Sequence, residues 1–376
     1  MELKIDKKDF LTGLEKTLSV VERRNTMPSL NHTLLDLKND HLQISATDLE
    51  IFVSSDVSCE IVEDGRIAVP ARNIYDIVKE CDDKSPIHLK LTDANRLEIK
   101  SGKSEFKLVG LLAESFPHFK TSPKGKLSNG TLKTKEFVRL IQKTEHCICT
   151  EEYRYALTGI YLESENVDGV NLLRSVATDG HRLARLEIDE TQIGTLVLEK
   201  PLIIPKKGSS ELRKLLENSE EEEFELSCDE NLIKASVGKN RLWIRPIDSE
   251  YPDYKRVIPQ SLTSDFYVDK AALLSGLKRM SLLVSDRSKV VSFDFQKDRV
   301  ALSTQNPDLG EARDEVMAEL EGQSMNTGFN VRFFMDALNN FQGDKIKIQL
   351  GEKLQPAVLT EHDDPSYLIV IMPMRL

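Results

Sequence analysis

The sequence predicts an α+β chain made of three successive copies of one unit, each with two helices packed on antiparallel sheets. Two observations predict it: four short features recur three times in the same order, and strand-like segments outnumber helical ones and are divided by turn signals. The first feature spans Ile5 to Leu14, Leu132 to Ile141 and Val268 to Leu277. Each copy reads as a short strand running into an amphipathic helix. Apolar residues fall at helical spacing at Phe10, Leu14 and Leu18, at Phe137 and Ile141, and at Leu273, Leu277 and Met280. The second feature, Ala46-Thr47-Asp48, Ala177-Thr178-Asp179 and the weaker Ser303-Thr304-Gln305, closes alternating strands such as Leu42-Gln43-Ile44 and Val300-Ala301-Leu302. The third is a strand running into a second helix, at Ile67 to Arg72, Leu202 to Lys207 and Thr327 to Arg332. The fourth is an apolar or aromatic residue before proline, at Phe116-Pro117, Tyr251-Pro252 and Met372-Pro373.

A chain of 376 residues exceeds one domain of about 100 to 150 residues, and the repeats divide it into 1–126, 127–261 and 262–376. Linker-like composition at Lys124 to Gly130 and at Pro259 to Ser264 marks the junctions. Turn signals at Lys38-Asn39-Asp40 and Gln296-Lys297-Asp298 predict hairpins.

Hydrophobic residues make up 40% and charged residues 30%, a globular mixture. No apolar run approaches the roughly 20 residues of a membrane span, and Met1 to Asp6 lacks a signal-peptide core, so a cytoplasmic protein without membrane contact is expected. The net charge of −11, from 51 basic and 62 acidic residues, argues against a protein that coats nucleic acid with an all-basic surface. A local basic face remains open, and the repeats suggest one. Lys16, Lys143 and Arg279 share one position in the first helix, and Arg72, Lys207 and Arg332 share one in the second. Further basic residues lie nearby, among them Lys7, Lys8, Arg139, Lys206, Arg213, Lys214 and Lys278. Such a face would meet phosphates without reading bases; the plainer reading is ordinary helix surface inherited by three copies. The acidic run from Glu217 to Glu223 reads as a solvated loop. No base-reading motif occurs, and 6% aromatics are too few for a single-strand stacking platform.

Catalytic signals are weak. The chain lacks a phosphate loop, a Gly-x-Gly-x-x-Gly turn and a nucleophile elbow. Thr178-Asp179-Gly180-His181-Arg182 puts a carboxylate near an imidazole, as an acid–base site would, but no partner stands at ligand spacing. A turn shaped by Asp179 or Gly180 accounts for it better. Five cysteines lack paired zinc spacing, and although His146-Cys147-Ile148-Cys149 resembles a metal fragment, buried reduced thiols are expected. No cofactor or metal is expected. The terminal Tyr367 to Leu376 is apolar almost to its last residue. Either it is a final sheet strand with core methionines, or Met372, Pro373 and Met374 offer adaptable apolar surface to a peptide.

Val176 to Ala184, Tyr251-Pro252-Asp253-Tyr254-Lys255-Arg256-Val257 and Met372-Pro373-Met374-Arg375-Leu376 resemble the sliding-clamp family, the bacterial DNA polymerase III beta subunits. Thr47-Asp48-Leu49-Glu50 and Val69-Pro70-Ala71-Arg72 also match, so the resemblance spans the chain. It implies three clamp-type domains forming half of a six-domain ring, a head-to-tail homodimer whose helices surround double-stranded DNA without regard to sequence. Its role would be topological: a processivity factor, not an enzyme, that tethers the replicative polymerase.

In this family short peptide motifs of the polymerase alpha subunit, the clamp loader, other polymerases and repair proteins bind one pocket. The resemblance places it at Leu157, Thr178, Gly180, His181, Arg182, Leu183, Pro252, Arg256, Val257, Met372, Pro373, Met374, Arg375 and Leu376. Val284 to Val290 departs from the family pattern, so one pocket wall has no assignment. DNA contacts carry over to Arg24, Arg72, Lys206 and Lys207, beside the repeat positions Lys16, Lys143, Arg279 and Arg332. The dimer contact carries over to Phe106 and Leu108 on an edge strand, met by Leu282 and Leu283 of the neighbour. ATP would belong to the separate loader. Two other readings compete: an enzyme using Asp179 and His181, and a three-repeat protein scaffold without DNA.

Overall fold

The computed structural model describes residues 1–21, 27–38, 40–92, 95–120, 126–284, 289–352, 354–362 and 364–376. Seven α-helices occur among them: α1 (Lys7–Leu18), α2 (Ala71–Glu80), α3 (Thr134–Glu145), α4 (Glu190–Ile193), α5 (Lys206–Glu217), α6 (Lys270–Ser281) and α7 (Val331–Asn340). The repeats hold to the residue. Lys16, Lys143 and Arg279 are each the tenth residue of α1, α3 and α6, while Arg72, Lys207 and Arg332 are each the second of α2, α5 and α7. Side-chain caps start several of these helices: the Asp6 carboxylate accepts from Lys8 N and Asp9 N, Asp269 from Ala272 N, and Asn330 from Arg332 N.

The chain forms two compact bodies that do not coincide with the repeats. The first comprises Met1–Val138, Ile193–Lys200 and Lys207–Pro246. It holds a five-stranded antiparallel sheet in the order Glu60–Glu63, Glu2–Ile5, Ile87–Thr92, Arg96–Ser101, Ser104–Val109. It also holds an eight-stranded sheet in which strands of the first and second repeats pair directly: Asn240–Ile244 runs antiparallel to Ile51–Ser58, with Trp243 opposite Phe52. Phe10 and Leu14 of α1 and Ile74 and Val78 of α2 are buried in a core with Leu35, Ile44 and Leu89. Gly13 permits the close approach of α1 to the sheet, because a Cβ there would lie 2.6 Å from Val57 and 2.8 Å from Ile44.

The second body comprises Arg139–Gln192, Pro201–Lys206 and Ile247–Leu376 and contains a twelve-stranded antiparallel sheet. Strands of the second and third repeats pair where Arg182–Asp189 meets Tyr367–Ile371, with Leu183 opposite Val370. The terminal strand is buried throughout, but it stops at Ile371. Met372 and Pro373 are half-buried and Met374, Arg375 and Leu376 are exposed, so these methionines are not core residues.

Three sequence readings change. Ser303-Thr304-Gln305 does not close its strand, because Arg299–Asn306 continues through it. The Gly130 end of the first predicted linker is already strand, Ser128–Lys133, and 121–125 lie outside the described residues. The proline repeat is also realigned. Arg245 N donates to Glu50 O at 2.9 Å, and Met372 N donates to His181 O at 2.9 Å, on equivalent turns. Met372-Pro373 is therefore the third copy of Arg245-Pro246, not of Tyr251-Pro252.

Candidate functional site

The strand Val170–Thr178 ends in a turn that its own side chains define. The Asp179 carboxylate accepts from His181 N at 2.9 Å, Arg182 N at 3.0 Å and Arg182 Nε at 3.0 Å. Thr178 Oγ1 donates to Arg182 O at 2.7 Å and accepts from Gly180 N at 3.0 Å. Gly180 has φ +84°, a left-handed conformation suited to glycine. The carboxylate that sequence alone could read as a general base is thus occupied in shaping backbone, as the turn reading expects.

His181 and Arg182 leave this turn toward α7. The His181 ring stacks on Phe333 with centroids 6.3 Å apart, and Arg182 lies over the same ring at 4.5 Å while Nη1 donates to Asp336 at 2.6 Å. Arg154 Nη1 braces the turn from the other side through Asp179 O at 2.7 Å. Arg154, Phe333 and Asp336 are absent from the sequence-derived site. Phe333 was open to inference: Phe334 is fully buried, so the aromatic one residue earlier on the same helix faces elsewhere. The other two become visible only through tertiary contact.

Beside the turn lies an apolar floor on the twelve-stranded sheet. Val176, Leu183, Tyr251, Tyr254 and Val370 are buried in one cluster, with Leu157 and Val257 packed against it and half-buried. Leu183 is 1% exposed, so it contributes packing beneath the surface, not surface itself. Pro252 and Arg256 are exposed, and Arg256 pairs with Asp253 at 2.8 Å. The tail joins through the Met372–His181 hydrogen bond and crosses to Gly328, whose carbonyl accepts from Met374 N at 2.8 Å. All fourteen sequence-derived residues of this site fall in the second body. Ser285 to Ser288, on the unassigned wall, lie outside the described residues.

Two titratable side chains beneath the turn are held neutral. Burial, with Arg182 and Lys143 nearby, pushes the His146 pKa down to about 3, and burial pushes the Cys147 thiol well up, so both are neutral at pH 7. Among the described residues no group of three or more His, Cys, Asp or Glu could hold a metal ion. The cysteines are free, four of them buried and Cys59 half-buried.

The predicted basic positions share a register but not an environment. In the first body Arg72 is exposed, 3.6 Å from Asp76, and Lys207 pairs with Asp48. Lys16 is half-buried and its pKa is lowered by desolvation. In the second body Lys206 and Arg332 are exposed, and Arg279 is exposed but bridged to Asp314 at 2.5 Å. Lys143 corrects the expectation. It is 6% exposed, donates to Asn340 O, lies 3.7 Å from Glu361 and sits over the Tyr367 ring, so it is a core cation and presents no charge to solvent. Arg24 lies outside the described residues. Phe106 and Leu108 stand on Ser104–Val109, an edge strand of the five-stranded sheet, with Phe106 36% exposed. Leu282, just past the end of α6, is 75% exposed, and Leu283 is half-buried.

Family models for the DNA polymerase III beta subunit match successive parts of the chain: the N-terminal domain over 1–120, the central domain over 131–253 and the C-terminal domain over 255–375. The chain belongs to the DNA polymerase III beta subunit family. It is similar to the beta sliding clamp of Caulobacter vibrioides, 33% identical with both chains covered in full. Among solved structures it resembles the Caulobacter crescentus polymerase III beta, at TM-score 0.94 and 33% identity, and the Bartonella birtlesii sliding clamp bound to griselimycin, at TM-score 0.93 and 32% identity. Each covers the whole of both chains. A beta subunit of this family is a sliding clamp of DNA replication, a processivity factor without catalysis of its own, whose partners are DNA and a polymerase. Among the described residues no helix is long and apolar enough to cross a membrane.

Proposed function

We propose that this clamp closes as a head-to-tail homodimer around duplex DNA in the cytoplasm, and tethers its partners by short peptide segments held on the surface formed by the Thr178–Arg182 turn, the Tyr251–Val257 segment and the C-terminal tail. One observation carries the tethering surface: the Met372 N to His181 O hydrogen bond joins the tail to the turn beside an apolar floor. A site made of an apolar floor, exposed methionine and ring and guanidinium edges suits peptides that differ in sequence. The replicative polymerase alpha subunit, the clamp loader, other polymerases and repair proteins would compete there. Because the similar Bartonella birtlesii clamp is bound to griselimycin, we expect griselimycin to bind this chain, and to do so on the same surface.

DNA is held by enclosure. Arg24, Arg72, Lys206, Lys207, Lys16, Arg279 and Arg332 give weak phosphate contact, and on a chain of net charge −11 they need only keep the duplex centred while it slides. Ring closure uses Phe106 and Leu108 of one protomer against Leu282 and Leu283 of the other, with domains divided near 126 and 261. Solution scattering tests the ring: a hollow particle of about twice 42.6 kDa is expected, and a compact solid particle would overturn it. Calorimetric titration with griselimycin and with the purified cognate polymerase alpha subunit tests the surface. Removing Arg375 and Leu376 should weaken both at least tenfold, and unchanged affinity would refute the assignment.

A further inference from the structure

The sheet face that carries the apolar floor also carries an ion network one residue row away, centred on a buried arginine. Side chains on a strand alternate between faces, and the pairing register sets the rows on this face. Tyr161, Val176, Arg185 and Leu368 stand opposite one another, and in the next row so do Glu163, Arg174 and Glu187. The Arg174 side chain is only 7% exposed and is bonded through Nε and Nη1. Nε donates to Glu187 at 2.9 Å, and Nη1 donates to Glu163 at 2.8 Å, to Glu165 and to the Tyr254 hydroxyl at 3.3 Å. Arg185 adds a bond to Glu187 at 3.3 Å, and Lys255 lies 3.1 Å from both Glu165 oxygens. Three carboxylates thus meet three cations. Arg174, Glu163, Glu187 and Arg185 are mostly buried, with Glu165 and Lys255 at the exposed rim; burying the inner members costs desolvation, and an apolar row would pack this sheet more simply.

The network reaches the Tyr251–Val257 segment, whose backbone joins no strand and includes only a single short 3-10 turn, Tyr254–Val257. Its side chains hold it down. Tyr251 stacks on Tyr161 at 4.6 Å, Tyr254 meets the same ring edge-on at 6.2 Å, the Tyr254 hydroxyl donates to Glu163 at 2.6 Å, and Lys255 grips Glu165. Pro252, Arg256 and Val257, which form one wall of the tethering surface, are interspersed with these anchors.

We propose that Arg174 is a positioning residue for partner binding: with Glu163 and Glu165 it fixes Tyr254 and Lys255, and through them sets the height of the Tyr251–Val257 wall above the apolar floor. The inference rests on that surface being the tethering site. Arg174 itself touches no partner. Its planar fork fixes direction as well as charge, which a lysine would not, and a wall held by directed charged bonds presents the same pocket before and after binding, so little ordering is left for the partner to drive.

The test uses the full-length protein and griselimycin. Tyr254→Phe removes one hydroxyl and leaves the ring stack, and Lys255→Met removes one cation and keeps the stem, so both variants should remain folded. Each is expected to bind griselimycin three- to tenfold more weakly, with the loss in the dissociation rate, and to show faster hydrogen exchange at the amides of residues 251–258 at a temperature far below melting. Arg174→Gln should show the largest loss, with Arg174→Lys failing to restore affinity; should Arg174→Gln not fold, the two milder variants still decide. Wild-type affinity and exchange in folded Tyr254→Phe and Lys255→Met would overturn the positioning role while leaving the surface intact. Absence of griselimycin binding to the wild-type chain would overturn the surface and the role together.

Discussion

The turn at Thr47–Ile51 and the turn at Thr178–Arg182 are the same object in two repeats. In each, aspartate accepts from the amides two and three residues on, at 3.0 and 2.7 Å for Asp48 and at 2.9 and 3.0 Å for Asp179. In each, the threonine hydroxyl donates to the carbonyl four residues on, at 2.7 Å. The third residue is left-handed in both, Leu49 at φ 81° and Gly180 at φ 84°. What differs is the residue that each turn receives from the following repeat. Glu50 O takes Arg245 N, and Arg245 Nε goes on to Leu49 O at 3.0 Å, with its guanidinium 4.9 Å over Phe119. His181 O takes Met372 N, beyond which Met374, Arg375 and Leu376 are exposed. One junction is closed by an arginine laid on an aromatic; the other is left with an uncharged, pliable side chain and an exposed tail. One repeated backbone turn is thus given two different surroundings by the side chain it receives: Arg245 over Phe119 in one repeat, Met372 in the next.

The strongest separation of the two turns comes from their aspartates. Asp179→Ala and Asp48→Ala each strip charged acceptors from backbone amides, and each should cost about 2 to 3 kcal/mol in denaturant unfolding. Only Asp179→Ala should also lower griselimycin affinity at least tenfold, and equal effects on binding would erase the distinction.

Acid offers a second separation, because His146 is buried near Arg182 whereas the matching residue of the first repeat is Ser19. With its pKa depressed to about 3 in the fold, His146 binds a proton in the unfolded chain before it does so in the native one. Stability is therefore complete above the ordinary histidine pKa and falls as pH drops toward 3. The loss should be about 2 kcal/mol between pH 7 and pH 5, and His146→Ser should flatten that slope in thermal melts.

A smaller effect is expected from exchanging the closing residue. Arg245→Met loses the Leu49 carbonyl bond and the Phe119 contact, about 1 to 2 kcal/mol, with griselimycin affinity unchanged. The smallest change tests the left-handed position: Leu49→Gly relieves strain at the expense of chain entropy and should stabilise by about 0.5 to 1 kcal/mol. Gly180→Leu should do the opposite, since a Cβ there would stand 2.8 Å from Arg154 Nη1.

Much of this was legible in the sequence, for reasons the residues make plain. Helix starts and the tenth and second helical positions repeat because backbone register is local, set by capping and apolar spacing around Phe10, Phe137 and Leu273. The Asp179 turn was readable because its hydrogen bonds span only a few residues. Environment was not. Lys143 shares the register of Lys16 and Arg279 but is buried because Asn340, Glu361 and Tyr367, about two hundred positions along the chain, receive it. The misplaced copy of Met372-Pro373 has a similar origin: proline after an apolar residue is a common pair, and only the bond to His181 identifies its true counterpart. The Arg174 network went unread because an arginine among glutamates looks like surface until the strands are paired.

The pairing of Asn240–Ile244 with Ile51–Ser58 has a consequence for how the chain is made. What was duplicated is not what folds. When the ribosome has released only the first repeat, Ile51–Ser58 still lacks a neighbour along one side, with its peptide groups open and Val53 and Val57 beside them. At about 5 to 20 residues per second, several seconds pass before Asn240 emerges to cover it. During that interval the nascent chain displays a bare sheet edge that another nascent copy could join. A fragment cut near residue 126 would keep that edge permanently, and should be recovered as aggregate where the whole chain stays in solution.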